Sequence, residues 1–282
     1  MINNYINDYL QNYNIKTLND FENAIREISQ VLILCGLSKT DFFKKAVFYG
    51  GTCLRIFHGL GRYSEDLDFT VLRDDANFNF DDYTHSCVKL LESFGLKCEV
   101  YSKNDYDIGE IRRRYFKIPI YDIACSYFNT DSINKERKVA IKTEVSTFYV
   151  EGATYENNMI SSPVFARVLC YDYSSLFAGK ICAILNRDWR NRVKGRDYYD
   201  YMHYVCHNVP INLEYINSKA NSSTSKKMDF EELKLRLKEK FNEVDFDSVK
   251  KDIMPFADDL ALDGLDKDLF IASVDNLKCL KK

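Results

Sequence analysis

Apolar residues at Phe21, Ile25, Ile28 and Leu32 recur at helical spacing, which predicts one or two helices in the first forty residues. The run "AVFYGG" then reads as a short buried strand closed by glycines, and "TCLRIFHG" as a helix with Thr52 near its cap and Gly59 at its exit. "EDLDFTVL" predicts a second strand, "NFDDYTHSCVKLLESFG" a helix closed by Gly95, and "KCEVYS" another strand. Two more strands are expected in "RYFKIPIYDI" and "KVAIKTEVST". In the latter, Ile141, Thr143 and Val145 alternate with Lys142, Glu144 and Ser146, as a sheet with one wet face requires.

From Tyr173 onward the pattern turns helical, in "YSSLFAGKICAILNR", "GRDYYDYMHYVCH", "FEELKLRLKEKFNEV" and "KDLFIASVDNLKCL". The expected fold is therefore α+β: a mixed β-sheet with flanking helices over residues 1–172, then a helical C-terminal region over 173–282. A polar loop is expected at about 217–228, where "NSKANSSTSKK" carries no apolar period.

Composition narrows the class. With 46% hydrophobic and 29% charged residues, 282 residues suffice for a sizeable core, which excludes an intrinsically disordered chain. No apolar run reaches bilayer-spanning length and the N-terminus lacks a signal-peptide pattern, so a cytoplasmic protein without membrane contact is expected. Nine scattered cysteines without a CxxC pair read as reduced, mostly buried thiols. His203 and His207 can share a helix face, but structural zinc needs four ligands and no others are arranged near them in sequence. Net charge is only −3, yet arginine and lysine concentrate in "EIRRRYFK" and "NRDWRNRVKGR". Basic segments of this kind, Arg112–Arg114 and Arg187–Arg196, can hold phosphates on a chain of near-neutral charge, with solvated loops as the alternative reading.

The chemistry gathers in "FYGGTCLRIFHGLGRYSEDLDFTV". A strand running into Gly50-Gly51-Thr52 and a helix offers bare amides and a helix N-terminus, a combination that favours a phosphate. Asp66 and Asp68, two apart on a strand, leave the same face about 7 Å apart, and hard carboxylate oxygens suit Mg²⁺. Glu144 sits on the polar face of a later strand; if that strand neighbours the first, three carboxylates converge and can hold two metal ions. An exposed, solvated strand face is the alternative reading of the same residues.

The ordered pattern "GGTCLR…RYSEDLDF…IKTEVS…GKICAILNR…GRDYYDY", over Val47 to His203, is similar to the AbiEii/AbiGii-type toxins of the nucleotidyltransferase superfamily. Thr52 stands where that superfamily commonly has serine and keeps the hydroxyl. The resemblance implies a nucleotidyltransferase-like sheet that transfers a nucleoside monophosphate from an NTP with Mg²⁺ or Mn²⁺. Gly50, Gly51 and Thr52 would hold the triphosphate; Asp66, Asp68 and Glu144 would bind the metals, with Glu144 as base. Lys180 would be the functional helical lysine, and Asp197 or Asp200 the functional aspartate of an RDxxD-like motif.

Residue spacing is compatible with these roles. Lys180 and Arg187 share a helix face suited to phosphates, and Asp197 and Asp200 share another. Arg62 and Ser64 flank the motif as further nucleotide-binding candidates. Arg55 reads equally as a partner of a sheet carboxylate, and Tyr63 and Trp189 as bases' stacking partners. The family further implies tRNA, at its 3′ end, or another RNA as acceptor, and a separate antitoxin protein as partner. A protein or small-molecule hydroxyl as acceptor, and a non-catalytic nucleotide-binding module, are the alternatives.

Overall fold

The computed structural model describes residues 4–101, 109–129, 133–187, 194–220, 227–256 and 265–281. In chain order these form α1 (Asn4–Leu10), α2 (Leu18–Ser38), α3 (Phe42–Lys45), β1 (Ala46–Tyr49), α4 (Gly50–His58), β2 (Asp66–Val71), α5 (Asp81–Ser93), β3 (Glu99–Tyr101), β4 (Ile111–Pro119) and α6 (Tyr121–Ala124). Next come β5 (Lys138–Ser146), β6 (Tyr155–Ile160), β7 (Ala166–Tyr171), α7 (Tyr173–Asn186), α8 (Gly195–Cys206), α9 (Leu213–Ala220), α10 (Phe230–Glu243), α11 (Phe246–Ile253) and α12 (Lys267–Ser273). Among the described residues no helix is long and apolar enough to cross a membrane.

By its internal contacts the chain divides into one unit of Met1–Cys53, Ser64–Tyr149 and Asn157–Cys170 and another of Leu54–Tyr63, Val150–Glu156 and Tyr171–Lys282. In the first, α2 begins at a capping box: the Thr17 hydroxyl accepts from the Asp20 amide at 3.2 Å, and the Asp20 carboxylate accepts from the Thr17 amide at 2.8 Å. Phe21, Ile25, Ile28 and Leu32 are buried on one face of this helix. Burial of each stabilises by about 1.5–3 kcal/mol. The helix packs on β5 and on α5.

The strands follow the order β3-β4-β5-β2-β1-β7-β6, a mixed sheet in which β2 pairs parallel with β5 and antiparallel with β1. Leu67, Phe69, Ile141, Thr143 and Val145 point into the core, whereas Asp66, Asp68, Lys142 and Glu144 lie on a partly open face. The expected strands are all present, but β4 ends at Pro119, and the "YDI" assigned to that strand opens α6. The sequence pattern missed β6, whose polar "YENNMI" at the sheet edge carries no regular apolar alternation, and β7 ("ARVLCY"), which lies between β6 and β1. It also set the start of α4 too late: the helix begins at Gly50, so Thr52 lies within its first turn and does not cap it.

The second unit is built around aromatic side chains. Tyr198 and Tyr201 of α8 lie against Phe241 of α10 and Phe270 of α12, with ring centroids 5.0–6.0 Å apart. Two differences from the sequence pattern stand out here. Residues 213–220, part of which read as loop, form α9, and the buried Asn217 amide bonds both backbone groups of Met228. After Ser273 a 3₁₀ turn runs over Val274–Asn276; the chain then becomes extended, and Cys279 forms a bridge with Ile211, whose amide and carbonyl bond Lys278 and Leu280. The backbone groups of this extended segment are satisfied by another segment, so helical periodicity does not decide its conformation.

His203 and His207 do share a face at the end of α8, with rings 4.3 Å apart. The His203 Nε2 lies 3.1 Å from the His58 carbonyl, and the His58 ring stacks on Tyr173 at 4.2 Å. Burial pushes both His58 and His203 below the ordinary value of 6.5, and the neighbouring His207 adds to the effect at His203.

Two predictions follow from packing and from charge. Gly36 of α2 crosses α5 so closely that an added Cβ would lie 2.7 Å from the Cys87 Cα. Gly36→Ala should therefore cost about 1–3 kcal/mol in urea unfolding. The two depressed histidines favour proton uptake by the unfolded chain, so their contribution is complete above about pH 6.5 and is lost on acidification below it. The melting temperature should hold from about pH 8 to about pH 6.5 and fall as the pH drops further towards about 5, and His203→Gln should flatten that slope.

Candidate active site

The opening glycines answer a packing constraint. Gly50 has φ +86°, and a Cβ there would stand 2.7 Å from the Asp68 Oδ2, so only glycine lets the turn pass beside that carboxylate. Thr52 is buried, and its hydroxyl donates to the Asp66 carbonyl. That bond ties the first turn of α4 to the start of β2.

Register assembles the carboxylates. Asp66 is paired with Lys142 and Asp68 with Glu144 across the parallel β2–β5 ladder, so all four side chains share one face. Arg113 of β4 lies opposite Glu144 on the other side and donates to its Oε1. The Lys142 ammonium reaches Asp66 Oδ2 at 3.0 Å and Glu144 Oε2 at 3.1 Å. Burial raises the Asp66 carboxyl above its ordinary value; Lys142 pulls it down, and Glu144 and Glu65 push it up again. Burial also disfavours the Lys142 charge, but Asp66 and Glu144 outweigh it and its pKa ends above the ordinary lysine value.

The second unit holds a charge network of its own. Arg62 and Asp200, 3% and 0% exposed, form a two-pronged pair with both contacts at 2.7 Å. Lys180 bridges the two aspartates, 2.8 Å from Asp197 Oδ1 and 2.8 Å from Asp200 Oδ2. Arg187, at the end of α7, donates to the other oxygen of Asp197. Burial alone would neutralise both Asp200 and Lys180, yet their partners hold Asp200 below and Lys180 above the ordinary values. Among the described residues three cations thus face two carboxylates, a positive surplus.

The remaining candidates do local work. The Ser64 carbonyl accepts from the Gln30 amide at 3.0 Å. Arg55 donates to the Leu60 and Gly61 carbonyls and lies over the Tyr63 ring. In the arginine triplet, Arg112 bonds the Gly109 and Ala76 carbonyls and the buried Arg114 pairs with Asp81. Residues 188–193, including Trp189, lie outside the described residues. Sequence spacing missed Lys142 and Arg113 as members of the carboxylate cluster; the alternation showed their face, but only strand order shows their partners.

A mixed sheet that sets paired aspartates and a third carboxylate beside a Gly-Gly turn has the build of a nucleotidyltransferase. The chain belongs to the AbiEii family, whose model, described as nucleotidyl transferase AbiEii toxin of type IV toxin–antitoxin systems, matches residues 32–274. It is similar to MenT4, the nucleotidyltransferase toxin Rv2826c from Mycobacterium tuberculosis H37Rv, at 15% identity and TM-score 0.53 over 99% of this chain and 91% of that one. It is also similar to JHP933 from Helicobacter pylori, at 19% identity and TM-score 0.47 over 90% and 88% of the two chains. At such identities the likeness is one of fold. No curated protein matches the sequence.

The charge network yields a prediction about stability. Asp200→Asn strips the carboxylate from a buried pair and should cost about 3–5 kcal/mol in urea unfolding. Asp197→Asn should cost less, because the Arg187 side chain is 40% exposed and water can take up its lost bond.

Proposed function

We propose that this nucleotidyltransferase transfers a nucleoside monophosphate from an NTP to the 3′ end of tRNA, as the toxin partner of a separate antitoxin protein. The observation that carries the site reading is the β2–β5 register, with Asp68 opposite Glu144 and Asp66 on the same open face beside the Gly50 turn. The donor set fits a hard divalent ion: three carboxylates supply oxygen ligands suited to Mg²⁺ or Mn²⁺. Among the described residues no three acidic, histidine or cysteine side chains are already arranged to hold a metal ion, and Lys142 bridges Asp66 and Glu144. Asp66, Asp68 and Glu144 would hold the ions, which supply charge neutralisation for the transferred phosphoryl group and the leaving pyrophosphate.

In the reaction the acceptor hydroxyl oxygen bonds the α-phosphorus while the bond from that phosphorus to the bridging oxygen of pyrophosphate breaks. Glu144 accepts the hydroxyl proton, with Arg113 fixing its orientation. Gly50, Gly51 and Thr52 offer first-turn amides to the triphosphate. The positive surplus around Lys180 and Arg187 supports a phosphate-facing role for that cluster, with Asp197 orienting both cations and Asp200 orienting Lys180 and Arg62.

The test uses each labelled NTP in turn with total tRNA and, separately, with cell extract. Label should enter tRNA; label on protein alone would overturn the RNA acceptor. Asp68→Asn should reduce transfer at least about 100-fold, the upper end of the loss for a merely supporting group, with the melting temperature little changed. Growth inhibition that survived Asp68→Asn would favour a non-catalytic binding role.

A further inference from the structure

We propose that Lys142 is a built-in counter-cation of the carboxylate face, one that a divalent metal must displace. This inference rests on the reading of Asp66, Asp68 and Glu144 as metal ligands and adds how that site is held before metal arrives.

The placement is a consequence of register. Lys142 stands directly across from Asp66 and two residues before Glu144 on the same strand, so its ammonium is confined between the two carboxylates at 3.0 and 3.1 Å. Glu144 has both oxygens engaged, one by Arg113 and the other by Lys142. Lys142 and Arg113 together thus set two positive charges against the three negative charges of Asp66, Asp68 and Glu144. Without Lys142, Asp66 and Glu144 would lose the ammonium that bridges them, while Asp66 stays partly buried.

The two cations differ in how they let go. Arg113 holds through a planar, rigid fork on a neighbouring strand, whereas Lys142 is a point charge on a flexible four-carbon stem. Its side chain is 27% exposed, so water can receive the ammonium when it leaves. A divalent ion that takes Asp66 and Glu144 as ligands must expel this charge, because ammonium and metal compete for the same oxygens. Metal binding without nucleotide is therefore weakened by an internal competitor. A bound triphosphate adds negative charge for both the metal and the released ammonium, which couples metal entry to nucleotide.

The experiment measures Mn²⁺ binding to the full chain by calorimetry, first without nucleotide and then with a non-hydrolysable NTP. Lys142→Gln should bind Mn²⁺ alone at least about tenfold more tightly than the unmodified protein, and Lys142→Arg should not. In chelator, Lys142→Gln should melt lower than the unmodified protein and regain the difference when Mn²⁺ is added. In the unmodified protein, acetylation of Lys142 by an amine-reactive reagent, read by mass spectrometry, should rise on Mg²⁺ titration. Equal Mn²⁺ affinity of Lys142→Gln and the unmodified protein, or acetylation insensitive to Mg²⁺, would overturn the role of Lys142 and leave the metal site standing. Absence of Mn²⁺ binding by all three proteins, with nucleotide present, would instead remove the metal site itself and this inference with it.

Discussion

The parallel pairing of β2 with β5 is the constraint on which the carboxylate face depends. Both strands alternate buried and half-open residues, and Asp68 meets Glu144 only in the register that buries Leu67, Phe69, Thr143 and Val145. A slip of one residue would turn Thr143 and Val145 outward and drive Lys142 and Glu144 into the core. The hydrophobic core on one side of the sheet therefore fixes the chemistry on the other. Stability and site geometry share one cause, and the acidic face needs no separate scaffold.

Charge in the second unit is managed differently. Asp200 is buried and Lys180 half-buried, and burial of an isolated ion is severely unfavourable. Paired contacts to Arg62 and to each other offset that penalty, and they also fix orientation: Arg62 carries the loop before β2 and Lys180 the middle of α7. A buried network of this kind is weak evidence for stability gain and better evidence for a required geometry. Arg187, at the exposed end of the network, is where its surplus charge meets solvent.

Much of the basic character that the sequence displays is consumed within the fold. Arg114 and Arg113 neutralise Asp81 and Glu144, and Arg112 ties two loop carbonyls. With net charge −3, attraction for a polyanionic acceptor would have to come from a local arrangement and not from a global field.

The sequence alone determined the strands that carry the carboxylates, the helices around them, the family resemblance and the face on which each acidic residue lies. These are properties of short-range periodicity, turn residues and motif order, which a linear pattern records. The strands β6 and β7, the extended segment near Cys279 and the burial of Asn217 escaped it, because non-local hydrogen bonds decide them. Only the tertiary structure decided that β5 lies beside β2, that Lys142 stands between Asp66 and Glu144, and that Asp200 belongs to Arg62 while Asp197 belongs to Arg187. Pairing between residues dozens of positions apart is set by strand order and helix packing, and neither leaves a signature in local sequence.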